Sequence, residues 1–457
     1  MKLSEWVPVL FLAFVFLLGG GARSDIASLP ILRGMSVLFA FWAALRLRGE
    51  DWKRIRVPLT LLLLLALWMA LQLVPLPASI WHGLPGRDTI VAIDRLTGQA
   101  ELWRPLSLTP SQTLNALLAM TVPIAALLVA AQMTSEEYPR LLMTVVALAC
   151  ASMLLGLLQI LSGPASPAYL YRIANTDSMI GLFSNRNHHA IFLACVIPLV
   201  AFALRDELMR KRKRPMVGIG LALAGIMLTV MTIMIGSRGG LLAGVISFVI
   251  GYAIVAGSWG TADLSSGRGL SRYRRWFLYA PPALMVLFVG LSLFLSSRTT
   301  ALTRFMDQSV GDDLRVSAWP TVRSMIETYW VAGSGFGSFP GVYKMFEPDR
   351  LLQGAYFNHA HNDWAEAIMT GGLPFALIVG CALVWFGVTV SRRGTRNLIK
   401  GHRGDFRLPI LTIVLILATT SLADYPLRVP SLQSLAIILV LFLCCPKLAG
   451  TRRDGLQ

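Results

Sequence analysis

The chain has 457 residues, 55% of them apolar and only 14% charged, with a mean hydropathy of +0.63. Soluble domains carry roughly 25% charged residues, so composition argues against an ordinary water-soluble globule. Uninterrupted apolar runs such as Val57 to Leu76, Met216 to Gly236 and Trp276 to Ser297 are each long enough to cross about 30 Å of hydrocarbon as a helix. The formal net charge of +17 invites a nucleic-acid reading, but membrane proteins also gather Lys and Arg in cytoplasmic loops.

In chain order, about twelve spans are expected, near 6–22, 28–45, 57–76, 112–132, 141–161, 188–204, 216–236, 239–257, 276–297, 365–390, 408–423 and 429–446. The first, behind Lys2, has the layout of a cleaved signal peptide; a retained helix is the preferred reading. With both termini cytoplasmic, the inner loops hold the basic runs Arg46 to Arg56, Arg205 to Arg214, Arg268 to Arg275 and Arg392 to Arg407. That arrangement obeys the positive-inside rule, so the basic excess is mostly topological and no nucleic-acid partner is needed. Cys150, Cys195, Cys381, Cys444 and Cys445 all fall inside apolar runs, which leaves no loop disulfide or zinc site.

Outside, stretches near 77–111 and 162–187 and a long one at 298–363 separate the spans. The last, between the ninth and tenth spans, contains Trp319, Phe336, Phe339, Tyr343, Phe346, Tyr356 and Phe357, a composition that points to a packed, partly helical subdomain. No internal repeat is visible, which weakens a transporter built from duplicated halves. The expected fold is thus an all-α integral membrane protein, with residues 1–457 forming one polytopic domain.

His82, His188, His189, His359 and His361 fall on the outer side in this topology, and only His402 inside. The long loop ends in Asn358-His359-Ala360-His361-Asn362-Asp363-Trp364, directly before a span. An imidazole there is positioned as a general base near a lipid-linked substrate; an interfacial polar anchor is an equal reading. A metal held by His359, His361 and Asp363 is disfavoured, since no further ligand cluster accompanies them. Outer arginines form a second constellation: Arg186 in FSNRNH, Arg238 in GSRGG, and Arg315 and Arg323 in the long loop. Converging guanidinium forks suit a diphosphate, and snorkelling to headgroups is the alternative. Arg315, Trp319 and Arg323 recur at a spacing of four, on one face of a predicted helix with Pro320 in its first turn. Gly333-Ser334-Gly335-Phe336-Gly337 fails the GxGxxG pattern and reads as a tight turn. Asp424, before the last span, either orients a base or caps a helix or pairs with Arg428.

Four motifs, in order, resemble the O-antigen ligase and polymerase superfamily of integral-membrane enzymes: GLFSNRNHHA at 181–190, GSRGGL at 236–241, Arg315-x3-Trp319 leading to Gly333-x-Gly335, and His361-Asn362-x9-Gly372. They lie within 180–380, and the outer segment Arg104 to Thr113 also looks like one seen in relatives. Trp330 stands where family members often have Pro, and His359 is additional. The resemblance implies transfer of a glycan from undecaprenyl diphosphate to an acceptor hydroxyl, at the periplasmic face of a bacterial inner membrane, with no metal and no other cofactor. It implies His361 as general base, Arg186, Arg238 and Arg315 on the diphosphate, and Arg323, Asn362, His359 and Asp424 in support. The His-Asn-x9-Gly spacing favours a ligase acting on lipid A-core over a polymerase or a protein glycosylase. A transporter or flippase of lipid-linked sugars is the alternative of another class, and a non-catalytic scaffold a distant one.

Overall fold

The computed structural model describes residues 5–210, 212, 214–262, 316–352, 357–392 and 405–446, and the single positions 283 and 290. Among these the chain is helical nearly throughout: α1 (Val7–Leu18), α2 (Leu29–Arg46), α3 (Gly49–Leu71), α4 (Ala78–Trp81), α5 (Asp88–Leu96), α6 (Pro110–Ala119), α7 (Thr121–Ala131), α8 (Tyr138–Ser162), α9 (Arg186–Leu208), α10 (Pro215–Met234), α11 (Arg238–Ala262), α12 (316–329), α13 (Phe339–Phe346), α14 (Asp363–Arg392), α15 (Arg407–Thr420) and α16 (Pro430–Cys444). One two-residue antiparallel ladder, Pro75–Leu76 with Arg104–Pro105, closes the segment that holds α4 and α5.

Seven helical stretches among the described residues are long and apolar enough to cross a membrane: α2, α3, α6 with α7, α8, α10, the Arg238–Gly257 part of α11, and α14. α1, α15 and α16 are apolar but shorter. The expected ninth span, 276–297, lies outside the described residues except for positions 283 and 290. Apolar side chains such as Leu38, Phe41 and Leu45 of α2 and Leu377, Leu383 and Val384 of α14 are exposed, as lipid-facing positions would be.

The third helix departs from expectation. The basic run Arg46 to Arg56 was expected as a loop, yet α3 already begins at Gly49. Asp51, in its first turn, accepts the Arg48 backbone N–H at 3.2 Å, and a capped start of this kind extends the helix back through Lys53, Arg54 and Arg56. Arg54 then donates to the carbonyls of Ala131 (2.7 Å) and Cys445 (2.9 Å), at the C-terminal carbonyl ends of α7 and α16. At its other end α3 stops at Leu71, because the chain turns into the Pro75–Leu76 ladder.

The chain divides into two compact units, 1–133 with 312–393 and 421–447, and 134–311 with 394–420 and 448–457. In the first, α7 packs on α1, α2, α3 and α16, and α3 on α14. The part of the long loop that is described is packed: Ala318, Val322, Met325 and Tyr329 of α12 bury against Phe339, Val342 and Tyr343 of α13 and against Met369 of α14. In the second, α9 is buried almost end to end and packs on α8, α10, α11 and α15. Ala190 meets Gly240 and Ala201 meets Gly251, so α9 and α11 run parallel with their first turns level.

The 330–338 turn is locked onto a break in α14. Pro374 has no N–H to give to Thr370, and Gly372 leaves helical geometry at φ 66, ψ −162, a region open essentially to glycine alone. The carbonyls thereby released accept from the turn: Ser334 N–H to Met369 and Gly335 N–H to Thr370, both 3.0 Å, while Leu373 N–H returns to Val331. Trp68 Nε1 and Gln72 Nε2 of α3 and its end take the Gly371 and Thr370 carbonyls at 2.6 and 3.0 Å. Gly333, Gly335 and Gly337 all have positive φ, which explains the glycine-rich motif as turn geometry. A Cβ at Gly372 would sit 2.6 Å from the Gly333 nitrogen. Gly372→Ala is therefore expected to destabilise by at least about 1–3 kcal/mol, read as a lowered midpoint in thermal unfolding in detergent.

Candidate functional site

The segment 357–363 reaches α14 through one strained residue. His361 has φ 51, the single non-glycine residue with positive φ among those described, and such outliers persist only where surrounding contacts hold them. Three anchors do so. Asn362 caps α14, its Oδ1 accepting the Ala365 N–H at 3.0 Å. The Asp363 N–H donates to the Ser421 carbonyl at 2.9 Å. Glu366, on the buried face of α14, accepts the Ala360 N–H at 2.9 Å.

Glu366 and Asp363 share a cation. Arg428 donates from Nη1 to Glu366 Oε1 (3.1 Å) and from Nε to Asp363 Oδ1 (3.0 Å), and Asp363 Oδ2 accepts the Leu427 N–H at 3.2 Å. Burial works against the charge on Arg428, but the two carboxylates hold its pKa above the ordinary guanidinium value. His359 Nδ1 lies 3.1 Å from Glu366 Oε1. Because that carboxylate is already the acceptor for Arg428 and Ala360, His359 Nδ1 carries the proton in this contact. The alternative pairing of Asp424 with Arg428 is not what the structure shows, since Arg428 is taken by Asp363 and Glu366.

Asp424 instead faces His361. Its Oδ1 accepts the Tyr425 N–H at 3.0 Å and stands 3.6 Å from His361 Nδ1, an ion-pair distance that is too long for a direct hydrogen bond. The Tyr425 ring packs against both histidines, with centroids 4.4 Å from His359 and 5.2 Å from His361. Phe357 covers His361 from another side at 5.5 Å and rests on Phe339 and Tyr343. Chemically this is an imidazole with a buried carboxylate behind one nitrogen, the layout that lets the other nitrogen take a proton while the carboxylate steadies the cation formed. The three residues weighed for a metal are divided: His359 goes to Glu366, Asp363 to Arg428, and His361 to Asp424.

Arg186 and Arg238 open α9 and α11. Asn185 caps the first, accepting the Asn187 N–H at 2.8 Å; Ser237 caps the second, accepting the Gly240 N–H at 3.0 Å after the positive-φ turn at Gly236. The parallel packing of the two helices brings these arginines to the same end of the second unit. Arg315 lies outside the described residues. Arg323 is exposed on α12 and ion-paired one turn on with Glu327 at 2.8 Å, and Trp319 on the same helix is 45% exposed. His188 and His189 are buried in α9, where His189 Nδ1 bonds the Met179 carbonyl at 2.9 Å and its ring packs against Gly156, Gly181 and Phe183. His402 also lies outside the described residues.

The sequence reading passed over Glu366 and weighed Arg428 only as a partner for Asp424. The signal for Glu366 was present: an acid one turn inside an apolar span is costly unless it has a partner.

Residues 222–380 match the O-antigen ligase family model. This stretch is similar to an O-antigen ligase domain. It contains Arg238, Arg315, Arg323, His359, His361, Asn362, Glu366 and Gly372, whereas Arg186, Asp424 and Arg428 lie outside it. The family supports the superfamily to which the motifs point, with glycan transfer in polysaccharide or lipopolysaccharide synthesis as its general activity. No curated protein matched the chain.

Removing Arg428 would leave two buried carboxylates facing each other. Arg428→Met is expected to cost about 3–5 kcal/mol of stability, and combining it with Asp363→Asn and Glu366→Gln to recover part of that loss in the same unfolding assay.

Proposed function

We propose that the protein is a glycosyltransferase of the O-antigen ligase type, which moves a glycan from undecaprenyl diphosphate to an acceptor hydroxyl at the periplasmic face of the inner membrane. The observation that carries this reading is His361, held at positive φ with the Asp424 carboxylate 3.6 Å behind its Nδ1, inside the matched domain. His361 Nε2 removes the acceptor proton as the hydroxyl oxygen forms its bond to the anomeric carbon. The bond from that carbon to the diphosphate oxygen breaks, and undecaprenyl diphosphate leaves with the electron pair. Asp424 steadies the imidazolium until the proton passes to solvent.

Arg186, Arg238 and Arg315 bind the diphosphate and stabilise the charge that grows on it. Because diphosphate is already a good leaving group, positioning and electrostatic stabilisation supply most of the acceleration. Arg323 supports this site electrostatically, and Asn362 and His359 hold the loop that carries the base. In this reading the chain crosses the membrane twelve times and needs no metal.

A polymerase of the same superfamily uses the same chemistry with a second lipid-linked unit as acceptor. The His361-Asn362-x9-Gly372 spacing favours the ligase, with lipid A-core as acceptor. The two are separated by offering purified protein both acceptors, with an undecaprenyl-diphosphate-linked glycan as donor and EDTA present. The expected product is glycan on lipid A-core. His361→Ala should lower the turnover by about 10²–10⁴-fold and Asp424→Asn by about tenfold or more, with donor binding retained in both. Chain elongation on the second donor would make the protein a polymerase, and binding of the donor without transfer to either acceptor would favour a transporter or flippase.

A further inference from the structure

The first unit holds a cavity of about 430 Å³ beside the cluster that holds the base-bearing loop. It is ringed by the starts of α2, α6 and α16 and by the approach to α14, through Arg33, Asn115, Gln433, His359, Glu366 and Arg428. Its floor is apolar, with Met69, Met120 and Phe336. It lies at the end of α16 opposite Cys445, whose carbonyl is held by Arg54 of the basic run. Size and lining suit one or two sugar rings: amides and a carboxylate for hydroxyl groups, an apolar floor for a C–H face.

The charges are more specific. Among the described residues, three guanidinium groups line the cavity. Arg23 is paired with Asp25 at 3.0 Å and Arg428 with Asp363 and Glu366. Arg33 lies one turn inside a candidate span, and its Nη1 donates to the neutral Asn115 Oδ1 at 2.7 Å; among the described residues it has no carboxylate partner. An arginine in a spanning helix is costly without an anionic partner and marks a candidate functional site. A single guanidinium fork fits one carboxylate or one phosphate group, less well a diphosphate. His359 borders the cavity, and its Cα is at most about 7 Å from that of His361, two residues on. A sugar seated here therefore lies against the loop that carries the proposed base.

We propose that this cavity is the acceptor subsite and that it selects an acidic glycan, Arg33 gripping a carboxylate or phosphate substituent while Asn115 and Gln433 bind hydroxyl groups. The assignment rests on the glycosyltransferase reading for its acceptor role, and its test needs no turnover. Full-length protein in detergent is titrated with deacylated lipid A-core oligosaccharide, with the same oligosaccharide after its carboxyl groups are reduced and its phosphates removed, and with inorganic diphosphate. The intact oligosaccharide should bind the wild type and His361→Ala alike. Arg33→Gln should weaken it about tenfold or more, with the neutralised oligosaccharide and diphosphate unaffected, and Arg33→Lys should restore part of the loss. Gln433→Ala should weaken both oligosaccharides several-fold; thermal unfolding of each variant checks the fold.

Undiminished binding of the intact oligosaccharide by Arg33→Gln, or no binding to the wild type, would overturn the assignment. Loss of diphosphate binding in Arg33→Gln would make the cavity a donor site and overturn it equally. Oligosaccharide binding that depends on Arg33, in a protein that transfers nothing, would sink the glycosyltransferase reading and leave the acidic-glycan site in place.

Discussion

Everything about the candidate base depends on one buried ionic contact, the sharing of Arg428 between Asp363 and Glu366. Neither carboxylate could be buried at the start of an apolar helix without it. Glu366 in turn holds the Ala360 N–H and His359, and Asp363 holds the Leu427 N–H. The loop that precedes α14 is thereby stitched to the segment that precedes α16, and His361 is presented to Asp424 across the stitch. The strain at His361 is a consequence of that double attachment, since the residues on both sides of it are pinned.

The glycine-rich turn at 333–337 has the opposite character, with no charge and no side-chain chemistry of its own. Its backbone N–H groups satisfy the carbonyls that Pro374 and Gly372 release from α14, and α3 contributes Trp68 and Gln72 to the same break. Helix α14 is thus fixed at two levels: by ions at its first turn, and by hydrogen bonds where it bends. Both lie in the first unit, with the packed aromatic cluster of α12 and α13 and the polar cavity. The motif His361-Asn362-x9-Gly372 acquires a physical meaning here, since Asn362 caps the helix and Gly372 breaks it, and the nine residues between are the length of rigid helix from the base to the bend.

Much of this was legible in the order of residues. The hydropathy runs foretold the helices, because burial in lipid demands about twenty consecutive apolar residues whatever the neighbours are. The tight turn at Gly333 to Gly337 and the place of His361 just before a helix were also readable, the first from glycine's freedom at positive φ, the second from an imidazole at a span boundary. The start of α3 was not, because a basic run reads as a loop until Asp51 is seen to cap it and Arg54 to find the ends of two other helices.

The sequence by itself determined that this is a polytopic helical protein with basic and chemically equipped ends, since composition and charge asymmetry are local properties that need no folding. Only the tertiary structure decided the partners. Asp424 was open between His361 and Arg428, and the choice turns on residues sixty positions apart, where Asp363 and Glu366 claim the arginine first. Arg33, unremarkable in its helix, becomes significant only when the other two guanidinium groups around the cavity are seen to be matched. Pairing between distant charged groups is set by which of them the packing of helices brings together, and no local pattern along the chain encodes it.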